Sequence, residues 1–191
     1  MDTTLTPAAR RWLTLNAALA WLGLAVSLTL NAIDYYPPTA GASPTSYGPG
    51  NAPGSAGVAS RLADWISYFT ILSNFVVAIV TTALAIGRAR NTPMWRALRL
   101  DSVLMITITG LVYAVLLAPT SVQHGWDNLS NSLLHQVTPI LTVLVWGFFG
   151  PRGWVSWRTV AAALVVPIVW LGWMLGRGAI IHAYPYGFVN A

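Results

Sequence analysis

The stretch that decides the fold of this protein is residues 66–86, which read ISYFTILSNFVVAIVTTALAI. It contains no charged side chain. As a helix rising about 1.5 Å per residue, it is long enough to cross the roughly 30 Å hydrocarbon core of a bilayer. An uncharged apolar segment of this length predicts a transmembrane helix.

Further segments of the same character lie on both sides of this stretch. Only 8% of the 191 residues are charged and 55% are apolar, whereas about a quarter of an average soluble chain is charged. The chain is therefore predicted to be all-α and to form one domain over residues 1–191, a polytopic transmembrane helix bundle. The five predicted spans are residues 12–33, 66–86, 102–119, 133–149 and 160–176.

The distribution of arginine predicts how the bundle is oriented. Arg10 and Arg11 precede the first span, and the loops after the second and fourth spans are also basic, whereas the first and third loops are neutral or acidic. By the positive-inside rule, the N-terminus lies in the cytoplasm of a protein of the cell membrane. The net charge of +5 is thus explained by orientation among membrane lipids and not by binding to nucleic acid. Arg177, at the outer end of the last span, departs from this pattern.

The first outer loop has a composition of its own. Residues 37–60 are mostly Pro, Gly, Ala and Ser, with few apolar anchors. Such a composition does not nucleate a packed core. We therefore expect a flexible external loop.

Polar side chains recur inside four of the predicted spans. On a helical wheel each group lies along one face, and polar faces of membrane helices normally point into the protein because lipid offers no hydrogen bonds. The pattern predicts a hydrophilic interior with an outward-facing polar cavity. The four groups are Asn16, Ser27, Asn31 and Asp34; Ser67, Thr70, Asn74 and Thr81; Ser102, Thr109 and Tyr113; and Asn131, His135, Thr138 and Thr142.

Two of these side chains are predicted to lie at one depth in the outer leaflet, where they meet if their spans are neighbours. Thr70 lies five residues past Trp65 and His135 four residues past Asn131, on spans that run in the same direction, so both lie about 7 Å below the interface. A hydroxyl beside an imidazole is the pair that nucleophilic acyl transfer requires. For the group that orients the base, Asn131, Asp34 and Asp127 all remain open, and Asn74 lies on the same helix face as Thr70.

Three blocks of the chain resemble the Pr6Pr family of bacterial membrane proteins. They are WISYFTILSN at residues 65–74, LLHQVTP at 133–139 and YPYGF at 184–188. That family is distantly similar to the androgen-induced membrane proteins of animals, which hydrolyse fatty acid esters of hydroxy fatty acids with a threonine and a histidine. The resemblance implies lipid-ester hydrolysis with Thr70 as the nucleophile and His135 as its partner.

The chain departs from that pattern in two places. Ser132 stands where the animal proteins carry a second histidine, and the sixth helix that the family implies does not follow residues 184–188 before Ala191. These differences concern the completeness of the bundle and the surroundings of the base.

Three other functions remain open: a metal-dependent lipid hydrolase, a small transporter and a non-catalytic scaffold. The histidines His124, His135 and His182 fall on the predicted outer side with Asp34, Asp64 and Asp127, which would suit a metal-dependent lipid hydrolase, although no pair has the i,i+4 spacing of a zinc motif. Prolines within the fourth and fifth spans would suit a small transporter, and polar seams alone would suit a non-catalytic scaffold. No cofactor is expected, because the chain has no cysteine and no glycine-rich phosphate loop.

Overall fold

The computed structural model describes residues 5–36, 45–121, 123, 125–150 and 155–186, and these residues are predominantly helical. Four helical segments are long and apolar enough to cross a membrane, and a bent helix pair makes a fifth. The predicted all-α bundle is confirmed, and the length and apolar composition of its helices indicate a multi-pass membrane protein. The helices are α1 (Pro7–Ala32), α2 (Val58–Ser67), α3 (Phe69–Ala85), α4 (Pro93–Val112), α5 (Trp126–Ser132), α6 (Thr138–Phe149), α7 (Trp157–Ala163) and α8 (Val165–Ile181).

The second span is broken, in contrast to the continuous helix predicted over residues 66–86. Helices α2 and α3 meet at 70°, because Tyr68 between them has an extended backbone (φ −72°, ψ 135°). Two indoles of α8 bind at the break: Trp170 Nε1 donates to the carbonyl of Ser67 at 2.9 Å and Trp173 Nε1 donates to its Oγ at 3.0 Å. The bend places Thr70 in the first turn of a new helix.

The other spans begin or end outside the predicted limits. Helix α4 begins at Pro93 rather than at residue 102, with the hydroxyl of Thr92 accepting from the backbone N–H of Trp95 at 3.3 Å. The fourth span begins at Trp126 and the fifth ends at Ile181. These extra turns carry arginines, aspartates or asparagines, so an apolar window does not include them although the backbone remains helical.

The core is formed where α1 packs against α3, α5 and α6. Small apolar residues such as Ala20 and Ala78 are buried there together with Leu24 and Ile106. The polar seams also point inward, since Asn16, Asn74 and Thr138 are fully buried. The predicted inward orientation of the seams is confirmed.

The first outer loop is partly packed against the bundle. Residues 37–44 lie outside the described part of the chain, so the prediction of flexibility is not tested there. From residue 45 onward the loop contains an isolated bridge between Ser46 and Tyr184, a 3₁₀ turn at Gly54–Gly57 and the start of α2. The buried guanidinium of Arg61 donates to the carbonyls of Asn31 and Gly54 at 2.9 and 2.7 Å. Arg61 therefore anchors part of the first outer loop, which its composition predicts to be flexible.

Arg177, which departs from the distribution of arginine that predicts the orientation, is paired inside the protein. Its guanidinium lies 2.7 Å from Asp64 and stacks 4.6 Å above the ring of Tyr47. Because its charge is compensated by α2, Arg177 adds no free positive charge at that end of the bundle.

Candidate functional site

Thr70 and His135, which the sequence predicts to lie at one depth, are in direct contact. The Oγ1 of Thr70 is 3.1 Å from the Nε2 of His135, within the usual range of a hydrogen bond. Thr70 is buried in the first turn of α3, and His135 is half-buried in the fourth span.

His135 lies in a turn of π-helix that separates α5 from α6. This turn covers Leu133–Val137, and such bulges occur frequently at functional sites. Pro139 has no backbone N–H to donate to the carbonyl of His135, so the regular α-helical bond cannot form there. Helix α4 approaches closely because Gly110 has no side chain: a Cβ at this position would lie 3.0 Å from Pro139.

The backbone carbonyl of Asn131 orients the imidazole. His135 Nδ1 lies 3.3 Å from this oxygen, which can only accept a hydrogen bond, so Nδ1 carries the proton and Nε2 is free to accept from Thr70. Of the three candidates for the orienting group, Asn131 is therefore the one in contact, through its main chain.

The side chain of Asn131 holds a tyrosine against the imidazole. The ring of Tyr113 stacks on His135 with a centroid distance of 4.5 Å and an angle of 24°. Asn131 Nδ2 donates to the Tyr113 hydroxyl at 2.6 Å, and Gln123 Nε2 donates to it at 3.0 Å. Tyr113 begins a second π turn, Tyr113–Leu117, so two irregular helix segments face each other across the site.

The two aspartates proposed as orienting groups are engaged elsewhere. Asp34 accepts from the backbone N–H of Gly54 at 2.7 Å and lies 3.5 Å from Arg61. Asp127 is hydrogen-bonded to the hydroxyl of Tyr36. Both carboxylates hold the outer loops in place, and neither contacts the imidazole.

Asn74 joins the two halves of the site. Its Nδ2 donates to the carbonyl of Thr70 at 2.8 Å and to that of Leu134 at 3.1 Å. The same Thr70 carbonyl accepts from Ser73 Oγ at 2.9 Å. Asn74 therefore fixes the spacing between α3 and the π turn that carries His135.

Tyr186 is a site residue for which the sequence pattern assigns no role. Its hydroxyl is hydrogen-bonded to the side chain of Thr70 and to the backbone N–H groups of Phe69 and Thr70 at the start of α3. Burial raises the pKa of this phenol above its ordinary value, so it remains protonated at neutral pH. The signal in the sequence is the block at residues 184–188, where the resemblance covers a segment that is neither a span nor a charged loop.

A largely apolar cavity adjoins Thr70, in contrast to the polar cavity predicted from the seams. Its volume is about 260 Å³. Many seam hydroxyls are instead engaged in hydrogen bonds within the protein: Thr109 contacts Ser73 at 2.8 Å, and Thr81 donates to the carbonyl of Val77 at 2.7 Å. The cavity is lined by Phe69, Thr70, Ile108, Thr109, Val112, Leu117, Trp170, Leu171, Met174 and Tyr186.

A metal centre finds no support among the described residues. Within that part of the chain, no group of three or more His, Asp, Glu or Cys side chains is placed to hold an ion. His135 faces Thr70 and Tyr113, and His182 is exposed at the end of α8. His124 lies outside the described residues.

Comparison with known proteins does not identify a relative: no family model, no curated protein and no solved structure matches the chain. The resemblance to the Pr6Pr family therefore stays a prediction carried by three sequence blocks, and the chemistry of the site has to be argued from its own residues.

Proposed function

We propose that this protein hydrolyses a carboxylic ester of a membrane lipid, with Thr70 as the nucleophile and His135 as the general base. The observation that carries the proposal is the 3.1 Å contact between Thr70 Oγ1 and His135 Nε2, located beside an apolar cavity in a membrane bundle. A hydroxyl becomes a nucleophile when an adjacent base takes its proton.

The reaction follows from the donors and acceptors present. Nε2 removes the proton of Thr70 as Oγ1 attacks the ester carbonyl, and the imidazolium formed is held by its Nδ1–H bond to Asn131. The proton then passes to the departing alcohol, which leaves an acyl-threonine. Water, activated by the same base, attacks this ester and releases the fatty acid and free Thr70.

A donor for the developing oxyanion lies at the start of α3. The oxygen of Tyr186 accepts from the backbone N–H groups of Phe69 and Thr70 there, and Tyr186, which remains protonated, supplies its hydroxyl proton as the donor. Donors aimed at the charge that forms in the transition state are a major source of acceleration in acyl transfer.

A fluorophosphonate probe on the protein purified in detergent tests the proposal. Labelling should be lost in Thr70→Ala and His135→Ala, because a positioned base contributes about 10²- to 10⁴-fold. Thr81→Ala is the matched control, since Thr81 is buried in the same helix but bonds only to backbone carbonyls. His182→Ala is the control for the imidazole. Ester hydrolysis that a chelator abolishes, in a protein that the fluorophosphonate does not label, would favour the metal-dependent alternative, because such an enzyme attacks with metal-bound water and not with a side-chain hydroxyl.

The absence of labelling in a well-folded wild-type protein would overturn the proposal. If Thr70→Ala and His135→Ala then kept wild-type stability, a non-catalytic scaffold or a small transporter would be the better account of the bundle.

The orientation that we propose places the N-terminus in the cytoplasm and Thr70 in the outer leaflet of the cell membrane. The chain has no cysteine, so single introduced cysteines report their side without a background. In intact cells, Ser55→Cys should react with an impermeant maleimide and Arg90→Cys should react only after lysis, since both positions are exposed. The reverse pattern would invert the orientation and place the site in the inner leaflet.

A further inference from the structure

The cavity beside Thr70 lies between two helices that do not pack closely on each other. Within the fifth span, α7 is the part that packs against α4, whereas α8 contacts α2. The bonds from Trp170 and Trp173 to Ser67 hold α8 against the break between α2 and α3. Helices α4 and α8 therefore form two walls of a space and do not close it.

The two walls are apolar and continue into the outer surface of the bundle. Ile108 on α4 and Leu171 on α8 line the cavity, yet they are 47% and 45% exposed. In a membrane bundle, surface of this kind faces the acyl chains of lipid. Thr70 and Tyr186 also line the cavity, so the candidate nucleophile and its neighbouring phenol adjoin the same apolar space.

We infer that the cavity is the binding site for the ester-proximal part of a fatty acyl chain, which enters sideways from the membrane between α4 and α8. The inference rests on the proposed function, because the reacting carbonyl has to sit at Thr70. The walls provide no charge along this path, so the occupant is a hydrocarbon chain, and its ester is the polar group that meets the two hydroxyls.

The size of the cavity limits which part of the chain it holds. A volume of about 260 Å³ is roughly that of nine water molecules at about 30 Å³ each, which accommodates only the first part of a long acyl chain. The rest of the chain stays in the lipid outside the opening. The protein should therefore tolerate different chain lengths but discriminate against a branch next to the ester. One added methyl group in such a cavity costs at least about tenfold in kcat/KM.

Photocrosslinking in lipid nanodiscs tests the inference without turnover. The probe is methyl palmitate that carries a diazirine on the acyl chain close to the ester. It is added to the Thr70→Ala variant. Crosslinks should concentrate on residues of α4 and α8 that line the cavity. A second probe, with the diazirine at the methyl end of the chain, should label the lipid-facing surface generally.

Two neighbouring positions on α4 give a matched pair of variants. Val112 lines the cavity, whereas Leu111 is 61% exposed and does not. Val112→Trp should lower crosslinking by the near-ester probe about tenfold by filling the space, in line with the cost of excess bulk in a pocket. Leu111→Trp should leave crosslinking unchanged. Lost crosslinking in a Val112→Trp variant whose thermal midpoint matches that of Leu111→Trp cannot be attributed to misfolding.

The two proposals fail in different ways. Equal crosslinking in Val112→Trp and Leu111→Trp, or crosslinks spread over all spans, would overturn the acyl-chain site even if the fluorophosphonate probe labelled Thr70. Crosslinks confined to the cavity, in a protein that the fluorophosphonate never labels, would support a lipid-binding site and contradict the proposed hydrolase activity.

Discussion

Two polar contacts between the seams of different spans have very different surroundings. Toward one end of the bundle, Asn16 of α1 and Thr142 of α6 bond to each other at 3.0 Å and are almost completely buried. Toward the other end, Thr70 and His135 are joined by a bond of similar length. The first pair is closed and contains no acid–base group, whereas the second is next to a cavity and contains an imidazole.

The difference shows that a polar helix face does not by itself form a functional site. Asn16 and Thr142 satisfy each other, and such bonds between membrane helices contribute about 0.6 kcal/mol on average. At Thr70 and His135 the helices are irregular: a break at Tyr68, a π turn around His135 and another at Tyr113. These irregular segments leave backbone groups and space available, which regular packing would have filled.

The largest effect that should separate the two regions is expected at Tyr186. Tyr186→Phe removes a hydroxyl beside Thr70 and should slow fluorophosphonate labelling about 10²-fold, the usual cost of one oxyanion donor. The labelling rate at saturating probe is the measurement, with the thermal midpoint as a check on folding. Unchanged or faster labelling would mean that Tyr186 only covers the site.

A smaller effect is expected where α4 approaches the π turn. Gly110→Ala introduces a Cβ that would lie 3.0 Å from Pro139 and should displace His135. We expect labelling to slow roughly tenfold, since a misplacement of about 1 Å in a catalytic group can cost up to 10²-fold.

The control for this change is Gly147→Ala in α6, because a Cβ there meets no atom within 4 Å. Equal labelling by the two alanine variants would show that the position of His135 does not depend on the close approach of α4.

The smallest effect on chemistry is expected at the closed pair. Thr142→Val leaves the fully buried amide of Asn16 without its partner and should lower the free energy of unfolding by about 1 kcal/mol. Labelling should be unaffected, because the pair lies on another part of the seams. Unfolding in detergent and labelling of the same preparation measure both quantities, and slowed labelling in a stable variant would contradict the separation of the two regions.

Part of the candidate site follows from local sequence patterns. The spacing of Thr70 from Trp65 and of His135 from Asn131 predicts a common depth, and the structure adds that the two spans are neighbours, so that the side chains touch. The orienting group does not follow, because the sequence leaves Asn131, Asp34 and Asp127 equally open, and the contact is made by the main chain of Asn131. Every residue has a carbonyl, so no sequence pattern distinguishes this one.

The sequence by itself determined the membrane bundle, the inward direction of its polar seams and the common depth of Thr70 and His135. These properties depend on hydropathy and on the helical period, which are written locally along the chain. Only the tertiary structure decided the break at Tyr68, the placement of Tyr186 on Thr70 and the cavity between α4 and α8. Each of these depends on contacts between segments distant in sequence, the break through the indoles of Trp170 and Trp173 that bond to Ser67. A packing relation between distant segments leaves no periodic trace in either of them.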